Sequence, residues 1–214
     1  MKNLKYIITV LIIAASGSFA QGWQWVNPLP QGNPLNAVGF INDNTGIAAG
    51  SLGTMIKTTN GGMNWSTVNT NTQRNIWKIF FATLTTVYAC GDSGLVLKST
   101  DLGSTWSQVN VNTPATLRAV QFFDQNTGIT AGSSGQMFKT TNGGANWMSF
   151  NSGTSMDIWT IWFTSPDAGY IPGSLGTIQK TNNGGANWTV VNTGRTNFIT
   201  KLFFANGTGY AACT

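Results

Sequence analysis

Few residues in this 214-residue chain could do chemistry. It contains no Glu and no His, so its carboxylates are six Asp. Without His there is no imidazole proton shuttle and no zinc site with His ligands. Cys90 and Cys213 stand alone rather than in a ligand cluster, and the Gly-Gly pairs belong to turns rather than to a phosphate-cradling loop, so neither metal nor cofactor is expected. A glycosidase of the ordinary type needs two carboxyl groups roughly 5–9.5 Å apart. Asp92 and Asp157 are the one pair that the topology argued below brings to a common end. What remains is binding chemistry. Arg74, Lys78, Arg118, Arg195 and Lys201, with Trp77 and Trp159 among them, could hold an acidic peptide, a free carboxylate or an anionic glycan through charge-assisted hydrogen bonds and stacking.

Composition narrows the classes further. Charged residues are 8% of the chain, where roughly 25% is usual. Hydrophobic residues are 41% and aromatics 12%. A disordered chain lacks such aromatics, and a coiled coil needs far more charge. Eleven Lys and Arg against six Asp give a formal charge of +5, but they are too dispersed for a nucleic-acid partner, which requires dense cationic clusters.

Residues 1–20 read as a signal peptide. Lys2 and Lys5 precede an apolar run over residues 6–15, and Ser18-Phe19-Ala20 provides small residues for cleavage after Ala20. The product is expected to be secreted, periplasmic or on the cell surface, and not membrane-spanning once the leader is removed.

The remainder, residues 21–214, is organised by a repeat. Trp65, Trp106, Trp147 and Trp188 are each 41 residues apart, as are Gly53, Gly94, Gly135 and Gly176. Leu35, Ile76, Leu117, Ile158 and Ile199 keep the same interval. A fixed period of this size signals a solenoid or a propeller. Within each repeat, short β-prone runs alternate with Asn-, Asp- and Gly-rich turns. This predicts four antiparallel strands per repeat and an all-β propeller. The repeats fall at about 35–75, 76–116, 117–157 and 158–198, with a partial one over 199–214. Residues 23–28 read as a lone fourth strand that could close the ring.

Each full repeat carries one motif before its Trp: Thr58, Asn60, Gly62 and Trp65; Ser99, Asp101, Gly103 and Trp106; Thr140, Asn142, Gly144 and Trp147; Thr181, Asn183, Gly185 and Trp188. The hydroxyl and the Asx side chain are suited to bind turn amides, Gly to a positive φ, and Trp to packing against the neighbouring blade. This pattern is the Asp-box, or BNR repeat, and resembles that of sialidase-like propellers. The wider consensus narrows the resemblance. Leu35-Asn36-Ala37-Val38-Gly39-Phe40, Asn44-Thr45-Gly46-Ile47-Ala48-Ala49-Gly50 and the run from Gly53 to Gly62 are similar to repeats of the photosystem II stability and assembly factor family, across residues 23–214. That resemblance implies an exported propeller that binds a protein partner, has an Arg-lined binding patch and catalyses nothing; Arg118 is the residue here best suited to such a patch.

Strand alternation puts the loops from strand four to strand one at the same end as the turns from strand two to strand three. Arg74, Lys78, Arg118, Arg195 and Lys201 are therefore expected on one face, opposite the Asp-box turns, with Asp92 and Asp157 as the carboxylates sharing it. Lys57, Lys98, Lys139 and Lys180 precede the Asp-boxes and are expected to be solvated. The alternatives are a sialidase-like or other glycoside hydrolase, or a glycan-binding module. Sialidase-like chemistry implies a Tyr nucleophile activated by Glu, and this chain has no Glu. Cys90 and Cys213 are 123 residues apart, but the shorter turn of the fifth repeat aligns Cys213 with Gly91. The two are expected to be unpaired and partly buried, on non-adjacent blades too far apart for a bridge.

Overall fold

The computed structural model describes residues 32–205 and 208–213. The leader and the strand expected over residues 23–28 lie outside them.

Four sheets of four antiparallel strands follow one another in chain order. Blade one is β1 (Leu35–Phe40), β2 (Gly46–Gly50), β3 (Met55–Thr58) and β4 (Ser66–Thr67). Blade two is β5 (Ile76–Phe81), β6 (Val87–Gly91), β7 (Val96–Ser99) and β8 (Ser107–Val109). Blade three is β9 (Leu117–Phe122), β10 (Gly128–Gly132), β11 (Met137–Thr140) and β12 (Met148–Phe150). Blade four is β13 (Trp162–Phe163), β14 (Gly169–Pro172), β15 (Thr177–Thr181) and β16 (Thr189–Asn192). A two-stranded sheet follows, β17 (Ile199–Ala205) and β18 (Thr208–Cys213). This is the β-propeller architecture that the 41-residue period predicts.

The second strand of each of the first three blades is entirely buried. Three apolar clusters fill the spaces between blades rather than within them. Ile47, Ala49 and Met55 of blade one pack with Ile76, Val87 and Leu97 of blade two. Tyr88 and Val96 meet Leu117, Phe122 and Phe138 across the second interface. Ile129 and Met137 meet Ile158, Phe163 and Ile171 across the third. The cores are thus interfacial, which is why one repeat could not fold alone.

The Asp-box closes the turn between strands three and four by the same bonds each time. Thr58 Oγ1 accepts from the amides of Asn60 (3.3 Å) and Gly62 (2.9 Å) and donates to Asn60 Oδ1 (3.0 Å). Asn60 Oδ1 also accepts from the Asn64 amide at 2.9 Å. Ser99, Thr140 and Thr181 repeat the pattern. Gly62, Gly103, Gly144 and Gly185 sit at φ between 77° and 89°, a region costly for a side chain.

In blades two, three and four the Trp that ends the motif packs backward onto the preceding blade. Trp106 joins the cluster between blades one and two, and Trp147 the cluster between two and three. Trp188 packs against the third, with its indole N–H donating to Asn151 O at 2.9 Å. Trp65 packs edge-on against Phe40 of its own blade, and Val38 and Phe40 beside it are exposed.

Two of the four third-strand lysines, Lys57 and Lys98, differ from the solvated reading. Lys98 Nζ donates to Gly143 O at 2.7 Å in the next blade's Asp-box, a carbonyl that also accepts from Tyr88 Oη at 2.8 Å. Lys57 Nζ donates to Ser104 Oγ at 2.9 Å. The spacing that puts a Lys just ahead of each Asp-box also puts it within reach of the neighbouring one, so these side chains fasten blade to blade.

Both cysteines are free. Cys90 pairs with Lys78, whereas Cys213 pairs with Ile199, as Gly91 does with Ile76. Cys90 is buried, and burial pushes its thiol up to about 12. Cys213 is exposed rather than partly buried, because β18 is exposed along its whole length.

Two measurements check this account. In denaturant titrations, Trp147→Ala is expected to cost ~3–5 kcal/mol, and Trp65→Ala roughly half as much, because only the first ring fills an inter-blade core. Equal losses would refute the backward packing. The second concerns acid. Asp101 is the one Asp among the four Asx positions, and its carboxylate lies well below its ordinary 3.8, held first by the Thr105 hydroxyl (2.6 Å) and then by the Thr105 amide and the Ser99 hydroxyl. A depressed pKa gives stability that is present above the unfolded value and lost as pH falls through the folded one. Asp101→Asn should therefore shallow the loss of thermal stability below about pH 4, where unfolded Asp begins to protonate; an unchanged acid limb would count against it.

Candidate functional site

The two ends of the blades are built differently. At one end the Asp-box turns bond the turns between strands one and two, with Gly61 N donating to Asn44 O and Gly143 N to Asn126 O, both at 2.8 Å. At the other end, the turn between strands two and three meets the loop entering strand one, as in Asp92 N to Asn75 O (3.0 Å) and Ser133 N to Thr116 O (2.9 Å). These latter turns have paired left-handed residues, Leu52/Gly53 and Ser134/Gly135 among them, the backbone of a tight type I′ hairpin. At Gly53 a Cβ would lie 1.9 Å from Thr72 O, so only glycine fits.

The second residue of strand one is a β-bulge in blades one, two and three and in the fifth sheet. The register jumps between Leu35 and Ala37, between Ile76 and Lys78, across Arg118, and between Ile199 and Lys201. A bulge puts two residues opposite one and re-aims a side chain. Asn36, Trp77, Arg118 and Thr200 are the bulged residues, and the last three reach the cavity at this end.

Blade four arrives there by another route. Pro172 stands where Cys90 and Ala131 stand in other blades, opposite Thr160, and has no N–H to donate. The strand expected from residue 158 is consequently reduced to Trp162–Phe163, and Trp159 lies ahead of the ladder, 48% exposed.

Trp77, Arg118, Trp159, Phe198, Thr200 and Lys201 line a cavity of about 510 Å³. A second cavity of about 230 Å³ runs inward along the first strands and shares Trp77, Arg118, Trp159 and Lys201, with Lys78 and Thr160 added. Five of the residues singled out from the sequence thus converge: Lys78, Arg118 and Lys201 with Trp77 and Trp159. Arg74 lies at the same end, its Nη1 donating to Ser93 O at 3.4 Å, but outside these cavities. Arg195 is on the loop between β16 and β17, also outside them, with its carbonyl against Gly176. Phe198 and Thr200 were not singled out. Thr200 holds the repeat position of Trp77, Arg118 and Trp159, and that equivalence was the available signal.

Arg118 is held from three sides. Its guanidinium carbon sits 4.3 Å from the centre of the Trp159 ring. Its Nη1 donates to Ser133 Oγ at 2.9 Å and to Asp157 Oδ2 at 3.2 Å. Asp157 also accepts from the Ser134 amide at 2.9 Å, capping the hairpin of blade three. Asp92 accepts from Trp77 Nε1 (2.6 Å), Asn75 Nδ2 (2.9 Å) and Thr116 Oγ1 (3.3 Å). The two carboxylates singled out as a possible catalytic pair each orient one wall of the cavity. The arrangement is suited to gripping an apolar or aromatic group beside a negative charge.

Among the described residues, no helix is long and apolar enough to cross a membrane, and no group of three or more Asp, Glu, Cys or His could hold a metal ion.

Comparisons with known proteins agree with this architecture. No curated protein matches the sequence. The fold is similar to YCF48 from Cyanidioschyzon merolae, 20% identical with a TM-score of 0.69, covering 85% of this chain and 63% of that one. The chain therefore spans less than two thirds of that protein's length. A YCF48 bound to a D1 peptide is 14% identical with a TM-score of 0.50, over 86% of this chain and 92% of that one. The GH74 xyloglucanase from Xanthomonas campestris is 13% identical with a TM-score of 0.68, over 85% of this chain and 34% of the enzyme. At such identities the structural likeness is one of fold. In sequence, residues 16–155 match the family model described as Photosynthesis system II assembly factor YCF48. Spanning more than half of a chain built from in-phase Asp-box blades, that match shows that the protein belongs to the YCF48 family of photosystem II assembly factor propellers.

Proposed function

We propose that the protein is an exported, non-enzymatic propeller that binds a protein partner by gripping a short peptide segment at its basic, aromatic-lined end. The observation that carries this reading is Arg118, fixed by Asp157 and Ser133 and stacked on Trp159 at the mouth of the 510 Å³ cavity. A guanidinium ordered before the ligand arrives loses little freedom on binding. Its remaining donors can meet a backbone carbonyl of the peptide while the rings take an apolar side chain, and the positive charge of this end favours an acidic segment. That a YCF48 carries a D1 peptide supports a peptide as the ligand class.

The commitments of Asp92 and Asp157 favour binding over glycoside hydrolysis. Each accepts from side chains or amides of the wall, an environment for orienting a ring or a guanidinium rather than for delivering protons. Arg74 and Arg195 extend the positive charge of this end outward and would act on longer segments of the partner, chiefly through the rate of encounter.

Two experiments test the proposal. An array of short synthetic peptides, acidic, neutral and basic, is probed with the full chain alongside a glycan array. Acidic peptides should be captured, with affinity falling as salt rises, and Arg118→Ala and Trp159→Ala should each weaken capture by roughly tenfold, the scale of a centrally placed contact. Capture of glycans but no peptide, or binding indifferent to salt and to both substitutions, would overturn it. Export is tested by sequencing the N-terminus of the protein recovered outside the cytoplasm: Gln21 is expected, and an intact Met1 would refute cleavage after Ala20.

A further inference from the structure

Lys78 and Lys201 differ from the other cations of this end. They hold the same repeat position, the residue after the bulge, in β5 and β17. Both line the inner 230 Å³ cavity. Neither has a hydrogen bond or ion pair among the described residues. The groups around them do not supply a counter-charge. Cys90, opposite Lys78 in the ladder, is a buried neutral thiol, and the residue opposite Lys201 is Ala212. Arg118, on the same cavity wall, is itself a cation, and Asp157 is already bonded to it. Asp92 is engaged by Trp77, Asn75 and Thr116. Burial first, and then the like charge of Lys201, pull the Lys78 pKa below its ordinary 10.5. Both side chains are nonetheless exposed to solvent, and the two ammonium groups share a concave space with no described carboxylate to balance them, which focuses positive potential.

The bulge decides what a ligand there would look like. Successive strand residues normally point to opposite faces. Here Trp77 and Lys78 line one cavity, because the register slips by a residue between Ile76 and Lys78. Lys78 follows Trp77, and Lys201 follows Thr200, by one strand step of about 3.3 Å. Lys201 lines both cavities with Trp77 and Trp159, and Lys78 joins them in the smaller one.

We propose that Lys78 and Lys201 form an anion subsite in the 230 Å³ cavity that takes a carboxylate carried close to an aromatic or apolar group, an extension of the peptide site. The inference rests on the peptide-binding reading but assigns the charge to be read to these two lysines. Arg118, whose Nη1 is already committed within the protein, aligns the apolar part with Trp159.

The probe is 3-phenylpropionate, compared with its uncharged analogue 3-phenylpropionamide, each titrated into the full chain and followed by NMR shifts of the Trp indole N–H groups. The carboxylate should bind the wild-type protein roughly tenfold more tightly than the amide, the scale of one charge-assisted hydrogen bond. In Lys78→Met and Lys201→Met the preference should shrink, and in the double variant it should vanish with the amide's affinity unchanged. That constant affinity reports an intact cavity. Arg74→Met, at the same end but outside the cavity, should keep the full preference. Equal binding of the two compounds by the wild type would overturn the subsite. So would a preference that survives the double variant, or a double variant that loses both compounds equally, since the lysines would then only shape the cavity. Peptide capture that depends on Arg118, with no carboxylate preference at the lysines, would refute this subsite alone. Failure of peptide capture on the array would refute the broader reading.

Discussion

The structure depends on one small interaction, the Asp-box hydroxyl accepting two backbone amides while donating to its Asx partner. In blade one, Thr58 Oγ1 satisfies the amides of Asn60 and Gly62 and fixes Asn60 Oδ1 to receive the Asn64 amide. A turn with its amides satisfied internally can lie against a neighbouring blade without leaving buried donors unpaired. The turn in turn aims its Trp. Trp106 and Trp147 follow Gly103 and Gly144, both at positive φ, and enter the preceding interface. Four copies in phase convert a local hydrogen-bond pattern into a row of interlocked blades, with Lys57 and Lys98 fastening each blade to the next Asp-box.

The end proposed for binding is built by local failures of the same regularity. Bulges at Trp77, Arg118 and Thr200 turn side chains of the innermost strands toward the mouth, where a regular ladder would have alternated them. Pro172 removes one ladder donor and leaves Trp159 ahead of the sheet. The opposite end carries the identical turns and provides rigidity; this end carries the substitutions that distinguish one blade from another. The strand-two-to-three hairpins of blades two and three lend their caps to this work, since Asp92 and Asp157 each serve a turn and a cavity wall together.

The role of the carboxylates bears on how a fold similar to that of a GH74 xyloglucanase would serve the proposed binding. In this chain, rings and polar groups from the first strands and their loops meet at one end. In this chain the two acids there are oriented inward on Trp77 and Arg118, and the ionic character left facing the cavity is cationic.

The sequence by itself determined the repeat length, the strand count per blade, the four Asp-boxes and the sharing of one end by the basic loops. All of these follow from periodicity and from residues whose turn chemistry is local, such as Thr58, Asn60 and Gly62. It also determined that Cys213 aligns with Gly91 rather than with Cys90, because a one-residue change in turn length shifts strand register in a countable way. Only the tertiary structure decided which cations meet. Arg74 and Arg195 share the end with Arg118 but miss the cavity, since a loop residue's direction depends on the turn it bonds. The convergence of Lys78 with Trp77 required a bulge, and a bulge is set by the fit between blades rather than by the identity of either residue. The lysines before the Asp-boxes were legible as a position but not as fasteners, because their partners, Gly143 O and Ser104 Oγ, lie 45 and 47 residues away and become neighbours only when one blade packs on the next.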